Sequence, residues 1–124
     1  MAELTFRELK DRVGQKLAII AGNEELSAED DAIIGNACTS VQAQALLLNI
    51  ADLAVESGID EAYADAFADL AAAECADAFD LPEPKRSIIG SNKVGLPGRS
   101  PAEIRFRALF ISTKQYTRPD VTYV

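Results

Sequence analysis

Glu61, Asp65 and Asp69 recur at steps of four residues, a spacing that sets all three carboxylates on one face of a helix. Carboxylates so placed can do acid–base work or hold a hard cation. A cation site needs ligands that converge, however, and a single helical stripe is convex, so a solvated acidic face is the simpler expectation. A further reading is that the stripe lines a channel through which a polyanion slides, since like charges repel. Nucleophilic chemistry has less to stand on. The chain has no His, which removes the commonest general base and transition-metal ligand, and with it a Ser or Cys triad of the usual kind. Cys38 and Cys75 fall in Ala-rich stretches where a thiol behaves as a small apolar residue and no disulfide framework is indicated. Gly90-Ser91-Asn92-Lys93-Val94-Gly95 does not meet the Gly-x-x-x-x-Gly-Lys-Ser/Thr pattern of a phosphate-binding loop. The expectation is a non-enzymatic chain with no catalytic residue, cofactor or metal.

Charge is distributed unevenly along the 124 residues: residues 1–84 hold 18 acids and four bases, whereas residues 85–124 hold eight bases and two acids. An acidic body with a basic tail suits a part that reaches for a neighbour. The length fits one domain with a small core. No apolar run is long enough to span a membrane, and no signal peptide is visible at the N-terminus.

The elements that must position these residues are mostly helices. Thr5-Phe6-Arg7-Glu8 fits a capping box, and Phe6, Leu9, Val13, Leu17 and Ile20 mark one apolar face, so a first helix is expected over about 5–21. Ser27 with Glu29, Asp30 and Asp31 starts a second, over about 28–56, with a break near Asn49. Its face is Ile33, Ala37, Val41, Ala45 and Leu48, and Leu46, Leu47, Ile50 and Leu53 suggest burial on more than one side. Asp60 caps a third helix over about 60–79, which carries Tyr63, Phe67, Leu70, Ala71, Cys75 and Ala78, until Pro82 and Pro84 end it. Residues 85–99 read as a glycine-rich loop with a possible hairpin of Ile88-Ile89 and Val94 around Ser91-Asn92. Ser100-Pro101-Ala102-Glu103 starts a fourth helix over about 101–113, although the alternation Ile104, Phe106, Ala108, Phe110 also fits a strand. Residues 114–124 read as an extended arm, because Pro119 breaks helix and Val-Thr-Tyr-Val favours β structure. The expected fold is therefore a small helical bundle of about four helices, body 1–113 and arm 114–124.

The arm is the best candidate for binding. Arg99, Arg105, Arg107, Lys114 and Arg118 form a basic series better suited to an acidic protein neighbour than to nucleic acid, given the acidic remainder. Lys114, Tyr116, Arg118, Val121, Tyr123 and Val124 could add to another chain's sheet edge, with backbone hydrogen bonds giving affinity and alternate side chains filling pockets.

The order of these features resembles the head–tail connector (adaptor) proteins of tailed bacteriophages, and in particular the tail accessory or head-completion proteins of short-tailed phages. The resemblance centres on Ile59–Pro82, an Ala/Leu-rich helix ending in Asp77-Ala78-Phe79-Asp80-Leu81-Pro82, followed by a loop, a further helix and a C-terminal arm. It implies a structural virion protein that forms a ring, a dodecamer by family pattern, below the portal. The implied partners are the portal protein, held through the 114–124 arm, a tail or nozzle protein, and further copies of the chain. Packaged DNA would pass without specific binding, along a lumen that Glu61, Asp65 and Asp69 could line, and no membrane is involved. The implied location is the head–tail junction, with assembly in the host cytoplasm. Two other classes compete with it: a small acidic helical adaptor or regulator that binds one bacterial protein, and a carboxylate-dependent hydrolase using Asp65 and Asp69.

Overall fold

The computed structural model describes residues 3–20, 24–95 and 98–117, the side chains of 111–117 excepted. Five α-helices and one two-stranded sheet occur among them: β1 (Glu3–Leu4), α1 (Phe6–Leu17), α2 (Ala28–Leu47), β2 (Ile59–Asp60), α3 (Glu61–Cys75), α4 (Lys85–Gly90) and α5 (Pro101–Thr117). The mostly helical class expected from the sequence is the class observed. The sheet has no counterpart in the sequence reading. It pairs Glu3 with Asp60 and Leu4 with Ile59, antiparallel, and ties the start of α1 to the start of α3.

Helix α3 is the hub, packed by α1, α2, α4 and α5. Its composition explains this. Ala64, Ala66, Ala68, Ala71, Ala72 and Ala73 are all buried, together with Phe67 and Leu70, so the helix is apolar nearly all round. Small side chains let several neighbours approach its axis closely.

Local signals set the helix starts. Thr5 and Glu8 satisfy each other's backbone amides reciprocally, Ser27 accepts from the Asp30 amide, and Asp60 accepts from that of Ala62. The ends differ from expectation. Helix α1 stops at Leu17 rather than near Gly22, with Ala18 in the left-handed region at φ 60°. The chain then doubles back: a Cβ at Gly14 would stand 2.9 Å from a Leu26 methyl and 3.2 Å from Ile20, so glycine's missing side chain gives Ile20 and Leu26 room to cover the helix. Helix α2 stops at Leu47, well short of 56. Asn49 takes φ 58°, and the chain turns so that Ile50 and Val55 become buried, with the Val55 amide donating to Gln42 Oε1 at 2.9 Å. Asn tolerates the left-handed conformation better than most residues. That turn overturns the expectation that Leu46 and Leu47 are buried: both are exposed, because the chain leaves before any element covers their side of the helix. Ile34 and Cys38 are fully buried, with Ile33 packed half-buried against the core, whereas Leu48 is exposed.

Helix α3 ends at Cys75 and tightens into a 3₁₀ turn, Ala76–Ala78, in which Ala78 is exposed. The 85–99 segment is not all loop. Lys85–Gly90 is helical, which removes the hairpin; Ile89 leans on the core and Val94 is buried. Helix, not strand, is found from Pro101 onward, and it runs past 113 to Thr117.

Candidate attachment site on helix α5

Helix α5 lies against α3 through an aromatic row. Tyr63 stacks on Phe110 with ring centroids 4.2 Å apart, Phe110 meets Phe106 edge-on at 5.0 Å, and Phe106 meets Phe67 edge-on at 6.0 Å. These distances lie within the range where aromatic pairs add attraction beyond area burial. The pairing order gives the direction. Residue numbers rise along α3 as they fall along α5, so the two helices are antiparallel. From Phe110 the helix continues to Thr117, a further rise of about 10 Å, whereas α3 begins at Glu61, only about 3 Å before Tyr63. The last turns of α5 therefore carry the backbone beyond the N-terminal end of α3.

Beside the aromatic row is a four-charge cluster. Arg105 reaches Asp65 Oδ2 at 2.8 Å and Asp69 Oδ2 at 3.2 Å, while Lys16 from α1 reaches Asp65 Oδ1 at 3.0 Å and Asp69 Oδ1 at 2.9 Å. Each carboxylate is shared by one ammonium and one guanidinium, which joins α1, α3 and α5. Hydrogen bonds from Arg105, then Lys16, hold the Asp65 carboxyl below its usual range against a smaller opposing effect of burial. Burial would lower the Lys16 pKa, but the hydrogen bonds and charges of Asp69 and Asp65 outweigh it and raise it.

A second anchor is Glu103, 1 % exposed. Its Oε1 accepts from the Gly95 amide at 2.8 Å and its Oε2 from Arg107 Nε at 2.7 Å, with Arg99 Nε at 3.8 Å. Ser100 caps the helix by accepting from the Glu103 amide. The box suggested by Ser100 and Glu103 is thus half realised: the Ser caps, while the Glu side chain leaves the helix end to fasten the preceding loop.

The candidate site residues separate accordingly. Of the acidic stripe, Glu61 is exposed, but Asp65 and Asp69 are neutralised by Lys16 and Arg105, so a free stripe of three carboxylates is not what the fold presents. The basic C-terminal series likewise folds back on its own domain at Arg99, Arg105 and Arg107, contrary to a tail that only reaches outward. Attraction between the carboxylates of α3 and Arg105 of α5 accounts for the first change, and the buried Glu103 carboxylate, which gathers Arg99 and Arg107, for the rest of the second. Lys114 and Tyr116 lie on helical backbone, since α5 runs to Thr117 rather than giving way to extended chain at 114. The expectations for Arg118, Val121, Tyr123 and Val124 lie outside the described residues. Lys16 and Glu103 were missed as anchors. Lys16 is the last base before Lys85, and two carboxylates in a row were the signal that a cation would be recruited.

Among the described residues no group of His, Cys, Asp or Glu is arranged to hold a metal, and no helix is long and apolar enough to cross a membrane. Burial pushes the thiols of Cys38 and Cys75 up to about 12 and about 11, where neither supplies a thiolate near neutral pH. Fold and site together define a small Ala-rich helical bundle with a clamped C-terminal helix. No protein-family model, curated protein or solved structure matches the chain.

The cluster leads to a modest prediction. Arg105 is about half exposed, so Arg105→Ala should cost only about 0.5–1 kcal/mol at low ionic strength. Urea titrations of both proteins at low and high NaCl should show the difference shrinking with salt. A salt-independent loss would mean that the side chain acts by packing.

Proposed function

We propose that this chain is a non-enzymatic structural subunit of a tailed-phage virion, an adaptor that forms a ring below the portal and connects it to the tail. The observation that carries the reading is the seating of α5: clamped by Phe106, Phe110, Arg105 and Glu103, the helix passes the end of α3 and hands on to residues 118–124. A rigid stem leading to a short segment with Arg118, Val121, Tyr123 and Val124 suits attachment to a neighbour's surface. In this reading the attachment segment is 118–124, because helical backbone runs to Thr117. The acidity of the body suits a wall past which DNA must slide: no Lys or Arg occurs between Leu17 and Pro84. Glu61 is the member of the original stripe that remains available for such a lining.

The test is to mix the chain with a candidate portal protein and image the product by electron microscopy. A ring of density capping the portal is expected, and deletion of residues 118–124 should abolish attachment while leaving the helical circular dichroism unchanged. A full chain that stays apart from the portal would sink the adaptor reading and favour a single-partner acidic adaptor instead.

A further inference from the structure

Five large apolar side chains are exposed among the described residues, and they fall into two groups of opposite electrostatic setting: Leu46, Leu47 and Leu48 at the end of α2, and Ile88 and Ile104 on α4 and α5. Leu47 is 80 % and Ile88 63 % exposed. The leucines lie in the stretch without a single base, at the C-terminal, electronegative end of a twenty-residue helix whose last turn carries no cation. Leu46 shares a shallow cleft of about 310 Å³ with Asn49, Ile50, Ala51 and the exposed Asp52. The cleft is apolar at its floor and acidic at its rim. Ile88 stands in the base-rich stretch, one helical turn after Lys85, so an apolar side chain and an ammonium share one face of α4. Neither Asp52 nor Lys85 forms an ion pair among the described residues, in contrast to Asp65, Asp69, Arg105 and Glu103.

We infer that the end of α2 is the docking surface for α4 of a second copy of this chain, with Ile88 entering the cleft beside Leu46 and Leu47 and Lys85 meeting Asp52. The argument is complementarity. A lone acidic patch would attract many partners, but the apolar side chains set where contact is dry, and the chain itself carries the matching apolar and basic pair in Ile88 and Lys85. The two surfaces differ, so the contact is head to tail: each copy uses its α2 end toward one neighbour and its α4 toward the other. Such a contact propagates, and gives a ring wherever the rotation closes. The inference deepens the proposed ring and rests on that reading only for closure; the pairing of α2 end with α4 stands on the surfaces themselves.

Sedimentation velocity of the purified full chain, over a concentration series, tests it. The wild-type chain should grow beyond dimer as concentration rises. Leu47→Asp and Ile88→Asp, both at exposed positions, should each remain monomeric alone. Mixed in equal amounts they should form a 1:1 dimer and nothing larger, because each supplies the half the other lacks. Should either variant lose its helical circular dichroism, the charge pair gives the readout: Lys85→Glu should weaken association at least tenfold, and adding Asp52→Lys on the neighbour should restore it. A wild-type chain that is monomeric throughout, association indifferent to both aspartates, or a mixture that stays monomeric would each overturn the inference. Portal rings formed by Ile88→Asp would overturn this contact while sparing the adaptor reading. A chain that self-associates as described yet ignores the portal would do the reverse.

Discussion

Phe106→Ala is expected to lower the unfolding free energy by about 3–5 kcal/mol. Phe106 is fully buried and is one of the two inner rings of the row, with Phe67 on one side and Phe110 on the other. Truncation removes its own buried surface and leaves a cavity that neither neighbour can fill without leaving its partner. A domain of this size commonly has about 5–15 kcal/mol in total, so the loss is a large share. The effect should also be local before it is global. Helix α5 is held to α3 by that row and by charges that are largely exposed, so amide exchange along α5 should accelerate more than along α3. Urea unfolding followed by circular dichroism gives the stability change, and hydrogen exchange gives its location. Ile104→Ala, two residues away but 54 % exposed, is the control and should fall within about 0.5 kcal/mol of wild type. Equal costs for the two substitutions would mean that α5 is not seated on the face described.

The parts of the fold readable from sequence were those with local causes. Thr5, Ser27, Asp60 and Ser100 cap the helices expected of them because a cap needs only a side-chain oxygen and a nearby amide. Leu9, Val13 and Leu17 are buried where the helical spacing puts them. What was not readable depended on distant parts of the chain. The end of α1 is decided by Ile20 and Leu26 folding over Gly14, and the end of α2 by the burial of Ile50 and Val55 after the turn at Asn49. Nothing local marks Leu46 and Leu47 as exposed, since an apolar run reads as core until the fold shows that nothing covers it. The same holds at the site. Asp65 and Asp69 were legible as a row of carboxylates, and Arg105 as a basic residue on a helix. Their union with Lys16 needed the packing of three helices on one another.

The charge asymmetry thus has two destinations. Part of it is used inside the molecule, where Arg105 ties α5 to carboxylates on α3 and Glu103, paired with Arg107, holds the loop at Gly95. Part remains outside at Lys85 and at Asp52 just past the end of α2. The first use makes the stem rigid, and the second leaves a complementary pair of surfaces for a neighbour. The adaptor role proposed above would need both, because a mobile stem would add an ordering cost to each attachment.

Glu103→Gln tests the inner use most directly and is expected to destabilise the protein by about 2–3 kcal/mol near neutral pH. Glutamine keeps the size and still offers an oxygen to the Gly95 amide, but it gives up the charge that holds Arg107 at 2.7 Å and Arg99 beyond it. Burial by itself would raise the Glu103 pKa; the Gly95 amide and Arg107 together, with Arg99 adding, more than offset this and hold the carboxyl below its usual range. The direction sets the sign of the pH dependence. A folded pKa below the unfolded value means that the contribution is fully present above the unfolded value, about 4.3, and is lost as pH falls through the folded one. Asp65 is shifted in the same direction and adds to the acid sensitivity of both proteins alike. The stability gap between wild type and Glu103→Gln should therefore be widest near neutral pH and narrow as pH falls below the unfolded value, as the wild-type carboxyl takes up its proton and becomes the near-equal of the amide. Urea midpoints across that range measure it. A gap that stays constant with pH would mean that the carboxyl works by shape alone, and that the loop at Gly95 is held to α5 without help from its charge.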